Sequence, residues 1–214
     1  MSSRTYTGGC EGADSPDMVN RAIPIEIFET VDIFVGLAHV SPMTAIAQLK
    51  RDRRLARSTS SWGETALQAA SHLGHRALIA QLVDVGTSLD IFAAAAIADT
   101  TEVVSMLADR PKDICGVHRL PLLHFAVVSR DLGMVEALIA AGACLSPPAA
   151  SLSPLHAAVA VDSAPIVRSL LRAGADVAFT DAFGQTALDW AYELRIKDRE
   201  MLELLLGSRS SARR

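Results

Sequence analysis

Three stretches of the chain follow one pattern: ETALQAASHLGHRALIAQLVDVG, LPLLHFAVVSRDLGMVEALIAAG and SPLHAAVAVDSAPIVRSLLRAG. In each, a leucine is followed by one or two alanines, a polar break, paired aliphatics and another leucine. Extending the comparison places a hydrophobic anchor at Phe34, Leu67, Phe92, Leu123, Leu155 and Leu188, with gaps of 33, 25, 31, 32 and 33 residues. Each unit reads as two short helices joined by a tight turn, too short to persist alone in water. Units of this kind bury their apolar faces by stacking on neighbours. The period therefore dictates an elongated array of tiles.

Composition agrees with close helix packing. Half of the 214 residues are hydrophobic and only 5% are aromatic, so small aliphatic side chains carry the core. The net charge of −4 argues against nucleic acid as a partner. The first twenty residues lack the apolar run of a secretory signal, and no window of 18 uncharged apolar residues exists for a membrane span. Cys10, Cys115 and Cys144 are widely spaced with no CxxC pair, which predicts free thiols in a cytoplasmic, reducing setting. A monomer is expected, with self-association through the groove or the short third unit as the other possibility.

The strings T-x-L-x-x-A, S-P-L-H-A-A and G-A-D-V, repeated at a period near 33, resemble ankyrin repeats over roughly residues 31–206. VDIF, LDIFAAAA and ALDWA look more particularly like standalone bacterial members of that family. The resemblance implies an all-α solenoid of about six helix–turn–helix units. Short β-turn fingers and inner helices would line its concave face, with outer helices on the convex side. Residues 29–207 would form the repeat domain, after an extended or disordered segment 1–28 and before a disordered basic tail 208–214.

Local chemistry fits. Gly86, Gly142 and Gly174 follow outer-helix patterns, where a left-handed cap is required. Pro165 suits a first helical turn, Ser153 an N-cap, and Asp181, Gly184 and Thr186 a finger turn with its cap. The glycine expected between paired helices survives only as Gly74, with Asp99, Arg130, Asp162 and Arg195 in the equivalent places. Between Val85 and Ile91 there is no room for a finger, so the third unit is expected to be shortened and the curvature to change there.

Catalytic patterns are sparse. His124 and His156 share one repeat position, which marks them as structural, with Gln68 able to make similar bonds in its unit. Cys115, His118 and His124 form a C-x2-H-x5-H spacing without a fourth ligand. No metal and no cofactor are expected. KRDRRLAR (residues 50–57) reads as a solvated connection with Leu55 turned inward, and Glu200 with Glu203 as a solvated helix face. There is no nucleophile elbow and no phosphate loop.

The positions that recur in place but vary in identity are the candidates for binding. By resemblance, the concave residues of the second unit are Thr59, Ser61, Trp62, Glu64, His72 and Leu73. The fourth unit gives Val117, His118, Leu120, Val128 and Ser129, and the fifth Leu152, Ala160 and Val161. The sixth gives Phe183, Gln185, Glu193 and Leu194, while His39, Val40, Ile97 and Ala98 correspond in the first and third. This apolar or weakly polar strip suits a protein or peptide partner, with Trp62 as the leading anchor and Trp190 turned to the core. The alternative is a small-molecule-binding protein or unusual enzyme in which His72, His118 and neighbouring carboxylates do acid–base work. A closed pocket would favour that alternative, and an open groove the partner.

Overall fold

The computed structural model describes residues 25–107, 114–147 and 151–211. Among them twelve α-helices form six consecutive pairs. The pairs are α1 (Ile25–Val40) with α2 (Pro42–Arg51), α3 (Ala66–His72) with α4 (Arg76–Asp84), and α5 (Ile91–Ala96) with α6 (Thr100–Leu107). They continue with α7 (Leu122–Val128) and α8 (Leu132–Ala140), α9 (Pro154–Ala160) and α10 (Ala164–Arg172), then α11 (Ala187–Glu193) and α12 (Arg199–Ser211). The inner helices α1, α3, α5, α7, α9 and α11 stack in chain order, and outer helices back them at α2–α4 and α8–α10–α12. This is the all-α solenoid that the repeats require. Among the described residues no helix is long and apolar enough to cross a membrane.

Four of the six inner helices start at a residue whose side chain caps them. Thr65 and Gln68 make a reciprocal capping box, as do Thr186 and Asp189. Asp90 accepts from the amide of Ala93 at 2.7 Å, and Ser153 caps α9 ahead of Pro154. Gln68 thus closes its own helix start. Outer helices end at Gly86, Gly142 and Gly174, with φ of 95, 85 and 94°. The anchors Phe34, Leu67, Leu123, Leu155 and Leu188 are buried. Phe92 is only half-buried; its ring lies against Phe125 with centroids 4.9 Å apart, and no finger folds over it.

From the second pair on, the turn inside each pair carries one left-handed residue. Gly74 supplies it in the second unit (φ 70°), and Arg130, Asp162 and Arg195 do so later at φ between 53 and 61°. In the third unit the left-handed residue is Ala98 (φ 61°), one position before the expected Asp99. Asp99 instead caps α6 by accepting from the amide of Glu102 at 3.0 Å.

Antiparallel bridges mark three fingers, at Thr59–Thr65, Cys115–Pro121 and Thr180–Thr186. No such bridge precedes α5 among the described residues, in keeping with the short gap before Phe92. Helix α5 itself is thin: Ala93 to Ala96 are all fully buried. With neither finger nor bulky side chains between them, α3 and α7 come together, and His124 Nε2 lies 3.0 Å from the carbonyl oxygen of His72.

The ends depart from the expected boundaries. Helix α1 begins at Ile25, ahead of residue 29, and α12 runs to Ser211, beyond 207. Residues 1–24 and 212–214 lie outside the described residues. The basic stretch forms a tight turn over Arg53–Arg57 with Leu55 and Ala56 both buried, and Arg57 Nη2 donates to the carbonyl of Gly86 at 2.8 Å.

Candidate functional site

The finger before α3 is the most heavily constrained part of the concave face. Ser60 donates its amide to the carbonyl of Glu64 at 2.8 Å, and its hydroxyl accepts from the Glu64 amide at 3.0 Å. Asp32 on α1 accepts from the amide and hydroxyl of Ser61, both at 2.7 Å, which clamps the finger to the first inner helix. Gly63 takes the left-handed turn (φ 88°) that aims the next residue inward. As a result the carboxylate of Glu64 is only 3% exposed.

Three imidazoles converge on that carboxylate. His39, near the end of α1, donates from Nδ1 to the carbonyl of Val35 at 2.9 Å and sets Nε2 3.3 Å from Glu64 Oε2. His72, the last residue of α3, lies with Nδ1 3.1 Å from the Gln68 carbonyl and 3.5 Å from Glu64 Oε1. His118 arrives from the finger before α7, where it and Arg119 both adopt left-handed backbone (φ 56 and 58°), and its Nε2 is 3.5 Å from the same Oε1. The His72 ring stands 5.1 Å from that of His39 and 5.0 Å from that of His118, centre to centre. Trp62 donates its indole N–H to Oε2 at 3.1 Å, whereas Oε1 accepts no hydrogen bond. Burial pushes the His72 imidazole down to about 4, so this ring is neutral at pH 7.

Each of the four residues falls at a concave position that the repeat pattern marks, but their convergence does not show in the sequence. The available signal is that His39 and His72 stand one repeat period apart, 33 residues, at equivalent places in adjacent units. His118 joins them from two units further on because the third unit presents no finger in between. The C-x2-H-x5-H spacing contributes only this one residue, since His124 turns away to bond the His72 carbonyl.

Beyond the cluster the concave face opens into a hollow of about 430 Å³. Its walls include His72, Leu73, His118, Leu120, Leu152 and Phe183, all anticipated as concave, together with Trp190. Phe183 is 89% exposed and Leu73 42%, while Leu120 is nearly buried and forms the floor. Ala160 and Leu194 are exposed; Val117, Val128 and Val161 are half-buried. Gln185 donates to Glu193, so these two polar residues satisfy each other at the far end. Two anticipated contact residues are corrected by burial. Glu64 is enclosed beneath its finger, and Ser129 turns its hydroxyl to the carbonyl of Ala126 at 2.6 Å. Trp62, half-exposed at 52%, keeps one face open while its N–H is engaged.

His124 and His156 behave as framework. His156 is fully buried, pairs Nδ1 with the Ser153 hydroxyl at 2.8 Å, and donates from Nε2 to the Gln185 carbonyl of the next finger at 3.0 Å. Trp190 is half-buried and donates its N–H to Asp181 Oδ2 at 3.0 Å, tying α11 to its own finger.

Comparison with known proteins follows the same lines. Residues 123–213 match the family model for ankyrin repeats, described as three copies. The B-cell lymphoma 3 protein homolog of Mus musculus is 34% identical over 116 residues, covering 52% of this chain and 25% of the mouse protein. The chain therefore spans about a quarter of the length of this curated relative.

Proposed function

The chain is an ankyrin-repeat protein, and from that premise we propose that it binds a protein or peptide partner in the hollow of its concave face. Ankyrin repeats are generally protein–protein interaction modules. The observation that carries the reading here is Phe183, a large aromatic ring left 89% exposed at a hollow whose open surface is mostly apolar. Aromatic rings supply large contact area at small entropy cost and dominate interface energies. Leu73, Leu152 and Phe183 spread this surface over three units, a length suited to an extended segment or the apolar face of a helix. The hollow is open to solvent, which supports a macromolecular partner over the enzyme alternative. The net charge of −4 speaks for a partner other than nucleic acid.

The test compares affinity capture from the native source by the unaltered chain, by Phe183→Ala, and by Val83→Ala on the outer helix α4. A partner lost with Phe183→Ala but retained with Val83→Ala supports the groove. Equal retention by both removes it.

A further inference from the structure

We propose that His39, Glu64, His72 and His118 form a binding site for one divalent transition-metal ion of the zinc type. Their donor atoms all lie within 4.8 Å of one another. An imidazole nitrogen and a carboxylate oxygen sharing one ion at bond lengths of ~2.0–2.1 Å stand about 3.3–3.4 Å apart in a tetrahedral shell. Nε2 of His39 and Nε2 of His118 approach Glu64 at 3.3 and 3.5 Å. His72 approaches at 3.5 Å through Nδ1, which gives up its contact with the Gln68 carbonyl when it binds the ion. These separations are long for hydrogen bonds but fit the edges of a coordination tetrahedron.

The second observation is the carboxylate itself. Glu64 is 97% enclosed, and its Oε1 has no hydrogen-bond partner. A carboxylate oxygen buried without a hydrogen bond is costly, and a cation among the three rings would satisfy it. Supporting contacts are already in place around the donors. The Val35 carbonyl takes the Nδ1 proton of His39, which leaves the Nε2 lone pair directed at the cluster. The Trp62 N–H holds Oε2, which leaves Oε1 for the ion. Hydrogen bonds of this kind orient the ligands of metal sites.

Three imidazoles and one carboxylate, with no thiolate, suit Zn²⁺ and its first-row neighbours; Mg²⁺ and Ca²⁺ require shells of oxygen. The ion would join the first, second and fourth units. The half-exposed His118 would leave it reachable from the hollow.

The test uses the untagged full chain stripped by a chelator and titrated with Zn²⁺, and separately with Mg²⁺, by calorimetry. One Zn²⁺ per chain is expected, with no comparable uptake of Mg²⁺. Co²⁺ should give the intense visible bands of a tetrahedral site. His118 is surface-exposed, so His118→Gln should retain the fold by circular dichroism yet weaken Zn²⁺ at least about tenfold, as should Trp62→Phe, which removes the supporting N–H along with part of the aromatic surface. Absence of Zn²⁺ uptake by the unaltered chain, or unchanged affinity in a folded His118→Gln, would overturn the proposal.

Discussion

A methyl group placed on Gly74 would sit 2.7 Å from the carbonyl oxygen of Val128. The end of α3 therefore abuts the end of α7, across the third unit. Four other turns place a side-chain-bearing residue in the left-handed conformation, so the backbone angle alone does not demand glycine at 74. The close approach does. Gly74→Ala is expected to destabilise the fold by about 2–3 kcal/mol, more than the ~1–2 kcal/mol of left-handed strain. Urea denaturation checks this; an unchanged midpoint would mean the two helix ends do not touch.

The same comparison predicts a gain elsewhere. Arg130 holds φ at 61° on an exposed turn with no steric reason for its side chain. Arg130→Gly should raise stability by roughly 1 kcal/mol, measured as a higher denaturation midpoint.

His156 links one repeat to the next through the Gln185 carbonyl while bonding its own cap, Ser153. His156→Ala leaves both partners unsatisfied in a buried place and should cost about 1–3 kcal/mol. A full-strength loss of partner binding at unchanged stability would contradict its framework role.

Acid should loosen the fold in a defined window. Burial lowers His124 to about 4, against an ordinary value of 6.5, and lowers His72 similarly. Between those values the unfolded chain takes up protons that the folded chain refuses. Stability is therefore complete above pH ~6.5 and declines as pH falls toward 4, by on the order of 2–3 kcal/mol for His124 alone. In His124→Gln the slope of stability against pH between 6.5 and 4 should be visibly shallower; an identical slope would exclude His124 as its source.

Phe183→Ala should leave the thermal midpoint within about a degree or two, because a ring 89% exposed contributes little to the core. A marked drop, read by differential scanning calorimetry, would show that Phe183 holds its finger in place.

Periodicity was enough to read the array. The anchors from Phe34 to Leu188, the caps at Ser153 and Thr186, and the missing finger before Phe92 all follow from spacing and local chemistry. A one-residue register was not readable in the third unit. Ala98 and Asp99 are adjacent, and the left-handed place falls to Ala98 in a turn closed by two bonds, from the Ala98 amide to the Ala95 carbonyl and from the Asp99 amide to the Ala94 carbonyl. Individual groove positions were legible, but their depth was not. Glu64 carries a charge that suggests exposure, yet Ser60 and Gly63 turn it inward. The meeting of His118 with His39 and His72 was hidden for another reason. A repeat pattern reports what neighbouring tiles share, whereas this contact skips a tile.

That skipped tile also bears on how the chain comes apart. A regular stack couples each unit only to the next, so it can fray from either end one tile at a time. Here the second unit grips the fourth through His72 and His124, and the thin inner helix α5 of the third unit lies enclosed between them. Opening any one of the three exposes the others, so amide exchange across residues 59–107 and 114–140 should report a single cooperative block, while the last two units exchange by separate, cheaper openings.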